Sequence, residues 1–172
     1  MPLTYYKIAS TTVGSGGAAS IDFTSIPQTY TDLVVLMSCR RTVSTGTGQL
    51  SLKFNGSTSS YTSKLLEGTG SAAASNNYSG LTDMPIGQAE PSNFTANTFM
   101  NTQIYISNYA LSNFKPVSSD SVSENNATEA YAAVFAGLWS STAAITSISL
   151  FPRGGDNWAQ YSSATLYGIK KD

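Results

Sequence analysis

The chemistry open to this chain is narrowed first by the residues it lacks. It contains no histidine and a single cysteine, Cys39. Histidine is the commonest general base and activator of nucleophiles. Its absence removes Ser-His and Cys-His catalysis, and with only one cysteine the ordinary zinc ligand sets go too. The remaining enzymatic option is a pair of carboxylates flanking a glycosidic bond. The carboxylates are Asp22, Asp32, Asp83, Asp120, Asp156, Asp172, Glu67, Glu90, Glu124 and Glu129. Asp120 and Glu124, with Glu129 close behind, form the tightest group. Most of the ten lie beside turns or on polar strand faces, where solvated surface is the ordinary role. No catalytic residue is expected. Residues 120–126 and Asp156-Asn157 offer oxygens to a cation but at no recognised ligand spacing, and turn residues satisfying their own backbone are the simpler reading. No cofactor or metal site is expected either.

Binding remains. Arg40-Arg41 closes an apolar run and reads as a solvated strand end or as a contact with another subunit. Lys170-Lys171 reads as a solubilising tail. Trp158, beside the turn at 153–157, is the best candidate for stacking on a sugar, whereas Trp139 lies in the most apolar segment and reads as core. The Gly-rich stretch at 14–17 joins no predicted helix and is a turn rather than a phosphate cradle. Sequons begin at Asn55, Asn77, Asn93 and Asn126, four where this Ser/Thr content yields about three by chance.

Ser, Thr, Ala, Gly and Asn together supply 90 of 172 residues, and only 11% are charged, for a net charge of −1. Soluble domains carry about 25% charged residues. With no basic stripe to neutralise phosphates, nucleic-acid binding is not expected. The apolar run at residues 33–37 is too short to span a bilayer, so no membrane association is expected. The first twenty residues lack a charged segment followed by an apolar one, and Cys39 cannot pair internally, so folding in a cytoplasm is expected. Aromatics are spread along the chain, which argues against disorder. The length suits one domain spanning residues 1–172.

Positioning falls to strands. Residues 5–13, 20–23, 33–41, 49–54, 60–66, 99–106, 114–122, 145–151 and 160–169 read as strand, several with clear alternation of apolar and polar positions. Residues 130–139 permit helix or strand, and Gly137 favours strand. Asn55-Gly56 tolerates the positive φ of a tight turn and predicts a hairpin between 49–54 and 60–66. Pro116 places 114–122 at a sheet edge. Residues 68–98 lose all periodicity and read as a long irregular excursion, the expected place for partner contacts. The result is an all-β chain of about eight to nine strands, an antiparallel, jelly-roll-like β-sandwich.

Residues 18–33 (AASIDFTSIPQTYTDL) and 164–170 (ATLYGIK) resemble the opening and closing segments of a group of small tailed-phage virion proteins, notably of cyanophages. Residues 118–126 and 137–150 are similar in style to the same group. The resemblance implies a β-sandwich on the virion, foremost a capsid decoration or cement protein. Such a protein sits as a homotrimer on the outer shell, contacts the major capsid protein and is assembled in the host cytoplasm. Under it, Tyr5, Tyr6, Arg40, Arg41, Tyr78 and Phe94 are the candidate oligomer or capsid contacts. The alternative is a tail-fibre or receptor-binding domain that presents Tyr78, Phe94 or Trp158 to a host surface glycan. A stand-alone carbohydrate-binding module is the third reading.

Overall fold

The computed structural model describes residues 4–44, 48–126 and 130–170. In order, the strands are β1 (Tyr5–Thr12), β2 (Ile21–Phe23), β3 (Asp32–Cys39), β4 (Gly48–Phe54), β5 (Tyr61–Gly68), β6 (Ala73–Leu81), β7 (Met84–Ala89), β8 (Met100–Ile106), β9 (Lys115–Glu124), β10 (Ala130–Trp139), β11 (Ile148–Pro152) and β12 (Ser163–Ile169). They form one eight-stranded sheet, β1-β12-β3-β8-β9-β10-β5-β6, and one four-stranded sheet, β2-β11-β4-β7. Every ladder is antiparallel.

The set β1-β12-β3-β8 shares one core with β2-β11-β4-β7, and the chain changes sheet at each of β1 to β2, β2 to β3, β3 to β4, β4 to β5, β6 to β7, β7 to β8, β10 to β11 and β11 to β12. This is the interleaving of a jelly roll, with β9, β10, β5 and β6 widening one sheet. Alternation dictates the packing. In β8 and β9 every second side chain is buried, giving Met100, Thr102, Ile104 and Ile106 on one strand and Val117, Ser119 and Ser121 on the other. Residues 130–139 form a strand, as Gly137 favours.

Small residues set how closely the sheets approach. The hydroxyls of Ser63 and Ser119 donate to the carbonyls of Pro85 and Ile86, and the Ser121 hydroxyl accepts from the Gln88 N–H at 3.1 Å. A Cβ on Gly137 would fall 2.3 Å from the Met84 sulfur. Strand β7 thus lies tight beneath β5, β9 and β10, its backbone bonded by serines rather than covered by bulky apolar groups. Aromatics fill the wider part of the core, where Tyr61 stacks on Trp139 at 6.2 Å and Phe54 packs 5.5 Å from the same indole.

Three expectations need correction. Residues 68–98 are not one irregular excursion, since β6 and β7 lie within them. Strand β6 is exposed along nearly its whole length and β7 is buried at every position, so neither shows alternation. Strand β9 is internal, between β8 and β10; Pro116 precedes the stretch that pairs with β8, so its missing N–H interrupts nothing there. Asn55 and Gly56 do take positive φ (52° and 67°), but the turn sends the chain from β4 in one sheet to β5 in the other, so these strands make no hairpin.

Candidate functional site

Two surfaces stand out. The first is the outer face of the eight-stranded sheet. The ladders align Leu66, Val134, Asp120, Gln103, Leu36 and Thr165 in one row across β5, β10, β9, β8, β3 and β12. One flanking row runs Ala132, Val122, Asn101, Ser38 and Ser163; the other runs Ala136, Ser118, Tyr105, Val34 and Tyr167. The last row continues to Lys64 on β5 and Lys7 on β1, so these rows carry Asp120 and two lysines. Leu66, Val134 and Val122 are 63%, 57% and 51% exposed. A groove of about 690 Å³ crosses the face between Leu36, Asn101, Gln103, Asp120 and Val122.

At one end of this face Tyr105 donates to the buried Asp32 carboxylate at 2.7 Å, and the Asn108 N–H donates to its other oxygen at 2.8 Å. The bond to Asp32, then burial, push the Tyr105 phenol from its ordinary 10 up to about 12. A phenol held protonated by the fold contributes stability that is complete below pH 10 and lost as pH rises toward 12. The Tm difference between the protein and Tyr105→Phe should therefore be constant up to about pH 9 and move in favour of Tyr105→Phe between pH 10 and 12. A difference that does not change over that range would refute the assignment.

The second surface is a polar cleft of about 580 Å³ on the side of the sandwich where β6 and β7 are edge strands. Strand β5 contributes Leu65 and Glu67, β6 contributes Asn76 and Tyr78, β4 and β7 contribute Gln49 and Gln88, and the turn after β11 contributes Arg153. Gln88 Nε2 donates to Glu67, and Gln49 Nε2 donates to the Tyr78 hydroxyl at 2.6 Å. Arg153 Nε donates to Asp83 at 3.1 Å.

The candidates read from sequence separate into two sets. Tyr5 and Tyr6 lie on the edge strand β1, with Tyr5 exposed, edge-on to Tyr167 at 6.2 Å, and Tyr6 5.8 Å from Tyr30. Tyr78 lines the cleft. Arg40, Arg41 and Phe94 are buried. The expectation of a solvated arginine pair is therefore corrected. Arg40 donates into the 92–98 segment, including to the Phe94 carbonyl at 2.7 Å, and Arg41 pairs with Asp156 at 2.6 Å. Trp158 is not a surface platform either: it is fully buried, and its Nε1 donates to the Leu150 carbonyl at 3.1 Å. Trp139 is core, as read.

Cys39 is buried, and desolvation pushes its thiol up to about 12, as befits a packing residue. Asp120 is exposed on the outer sheet face, while Glu124 accepts from the Asn126 N–H at 2.7 Å; Glu129 and Lys171 lie outside the described residues. Among the described residues no three His, Cys, Asp or Glu side chains converge as a metal would require, and no helix is long and apolar enough to cross a membrane. The cleft residues Gln49, Glu67, Gln88 and Arg153 escaped the sequence reading because they come from four separate segments and none belongs to a motif.

No family model, curated protein or solved structure matches the chain.

Proposed function

We propose that this chain is a structural protein of a tailed-phage virion, a capsid decoration subunit that binds the outer shell as a homotrimer and stabilises it. The observation that carries the reading is the outer face of the eight-stranded sheet. Single exposed apolar residues are normal, but contiguous patches mark interaction surfaces. Here Leu36, Leu66, Val122 and Val134 share a face whose few charges, Lys7, Lys64, Asp120 and Glu124, balance. Burying such a face strands few ions, and its short Ser, Thr and Ala side chains lose little rotamer freedom on packing. Its natural occupant is another copy of the same neutral surface. The resemblance of residues 18–33 and 164–170 to tailed-phage virion proteins supplies the setting. Repetition over a symmetric shell then multiplies weak contacts into firm attachment.

Sedimentation velocity at micromolar concentration tests the assembly. The expected species is a trimer of the 18.1 kDa chain. The double substitution Leu66→Asp/Val134→Asp should convert it to monomer while leaving the circular dichroism spectrum unchanged. A wild-type monomer, or a trimer indifferent to both substitutions, would overturn the proposed interface.

A further inference from the structure

We infer that the cleft between β5-β6 and the four-stranded sheet binds an uncharged oligosaccharide, and this holds whether or not the chain assembles on a capsid. The volume, about 580 Å³, falls within the roughly 300–1,000 Å³ of small-ligand sites. The lining has the chemistry that sugar hydroxyls require, since each hydroxyl donates one hydrogen bond and accepts others. Two carboxamides, Gln49 and Gln88, can donate and accept. Glu67 accepts only, and its second carboxylate oxygen is left for a ligand after Gln88 has taken the first. Tyr78 accepts from Gln49 and retains its own O–H to donate. Its ring, with Leu65, gives the C–H face of a pyranose an apolar wall.

Charge selects among sugars. The Arg153 guanidinium is matched by Asp83 at 3.1 Å, and Asp83 also accepts from the Ser51 hydroxyl at 2.8 Å. Glu67 has no cation within 4 Å among the described residues. The lining itself carries one carboxylate, Glu67, and one cation, Arg153, which Asp83 already holds from outside the lining; it therefore offers no excess positive charge to a sialylated or sulfated ligand and leaves neutral ones unpenalised. Preorganisation points the same way. The Gln88–Glu67 and Gln49–Tyr78 bonds hold the polar groups in place before any ligand enters, so binding costs little side-chain ordering.

The test is an immobilised glycan panel of neutral, sialylated and sulfated oligosaccharides, probed with the full chain. Retention on one or more neutral glycans is expected. Tyr78→Ala and Glu67→Gln should each weaken it at least about tenfold, as the loss of one good polar or stacking contact does. Tyr78 and Glu67 are both partly exposed, and the near-isosteric Glu67→Gln keeps the shape of the cleft should Tyr78→Ala disturb the β5-β6 hairpin. No retention of any neutral glycan, retention of anionic glycans alone, or binding that neither substitution weakens would overturn the inference.

Discussion

Replacing Arg40 by methionine should destabilise the protein by about 3–5 kcal/mol, the cost of stranding one partner of a buried ion pair. Arg40 is 8% exposed and Glu90 is 1% exposed, with the charges 4.0 Å apart. Glu90 also accepts from the Glu124 N–H at 3.2 Å. The guanidinium fork ties down a whole segment: Nη1 reaches the carbonyls of Thr95 and Thr98 at 2.8 and 2.7 Å, and Nη2 reaches those of Ser92 and Phe94 at 2.9 and 2.7 Å. Methionine fills the volume and satisfies none of these. At roughly 2–4 °C per kcal/mol for a chain of this size, Tm should fall by about 10 °C. Lysine should recover only part of the loss, because one ammonium cannot span four carbonyls in the geometry of a planar fork. Adding Glu90→Gln to Arg40→Met should also recover part, since the stranded charge is removed. Urea unfolding of the four proteins checks this. A loss below about 1 kcal/mol in Arg40→Met would mean that Arg40 acts at the surface after all.

The second large effect falls on Trp158. Truncation to alanine should cost about 3–5 kcal/mol, the usual range for a large buried aromatic. The indole is fully buried, and Trp158 also exchanges backbone bonds with Ala18, at 2.7 Å from its own N–H and 3.1 Å to its own carbonyl. The loop at 153–157 is thus held to the N-terminal segment at the point where the indole enters the core. Removing the indole opens a cavity and leaves the Leu150 carbonyl without its donor. Trp158→Phe should lose less, because the ring is retained and only the N–H goes. Thermal unfolding followed by circular dichroism checks both. Wild-type stability in Trp158→Ala combined with lost glycan retention would restore the surface reading of this residue.

Much of the sandwich is legible in the sequence wherever a strand has one wet face and one dry face. Residues 99–106 alternate because they sit in that position; residues 49–54 alternate as well, although Ser51 is buried and donates to Asp83, and the boundaries of both strands follow within a residue. The signal fails where both faces share one environment. Strand β6 is wet on both sides and β7 is dry on both, so AASNNYSGL and MPIGQA show no period. Pairing is harder still, because the Asn55-Gly56 turn is the same in sequence whether it closes a hairpin or carries the chain between sheets. Arg40 was misread for a related reason. A charged residue after an apolar run normally marks the solvent boundary, and nothing local reveals a ring of carbonyls from residues 92–98 folded over it. The serine excess has a structural meaning that composition alone does not supply: Ser63, Ser119 and Ser121 let β7 lie close under the larger sheet.

The role proposed for this domain is decoration of a phage capsid. Antibody against the chain, applied to intact tailed-phage virions from the source that carries its gene and viewed by electron microscopy, tests it most directly. Dense label over the whole head is the expected result. Label confined to the tail, or particles that carry no label, would contradict it.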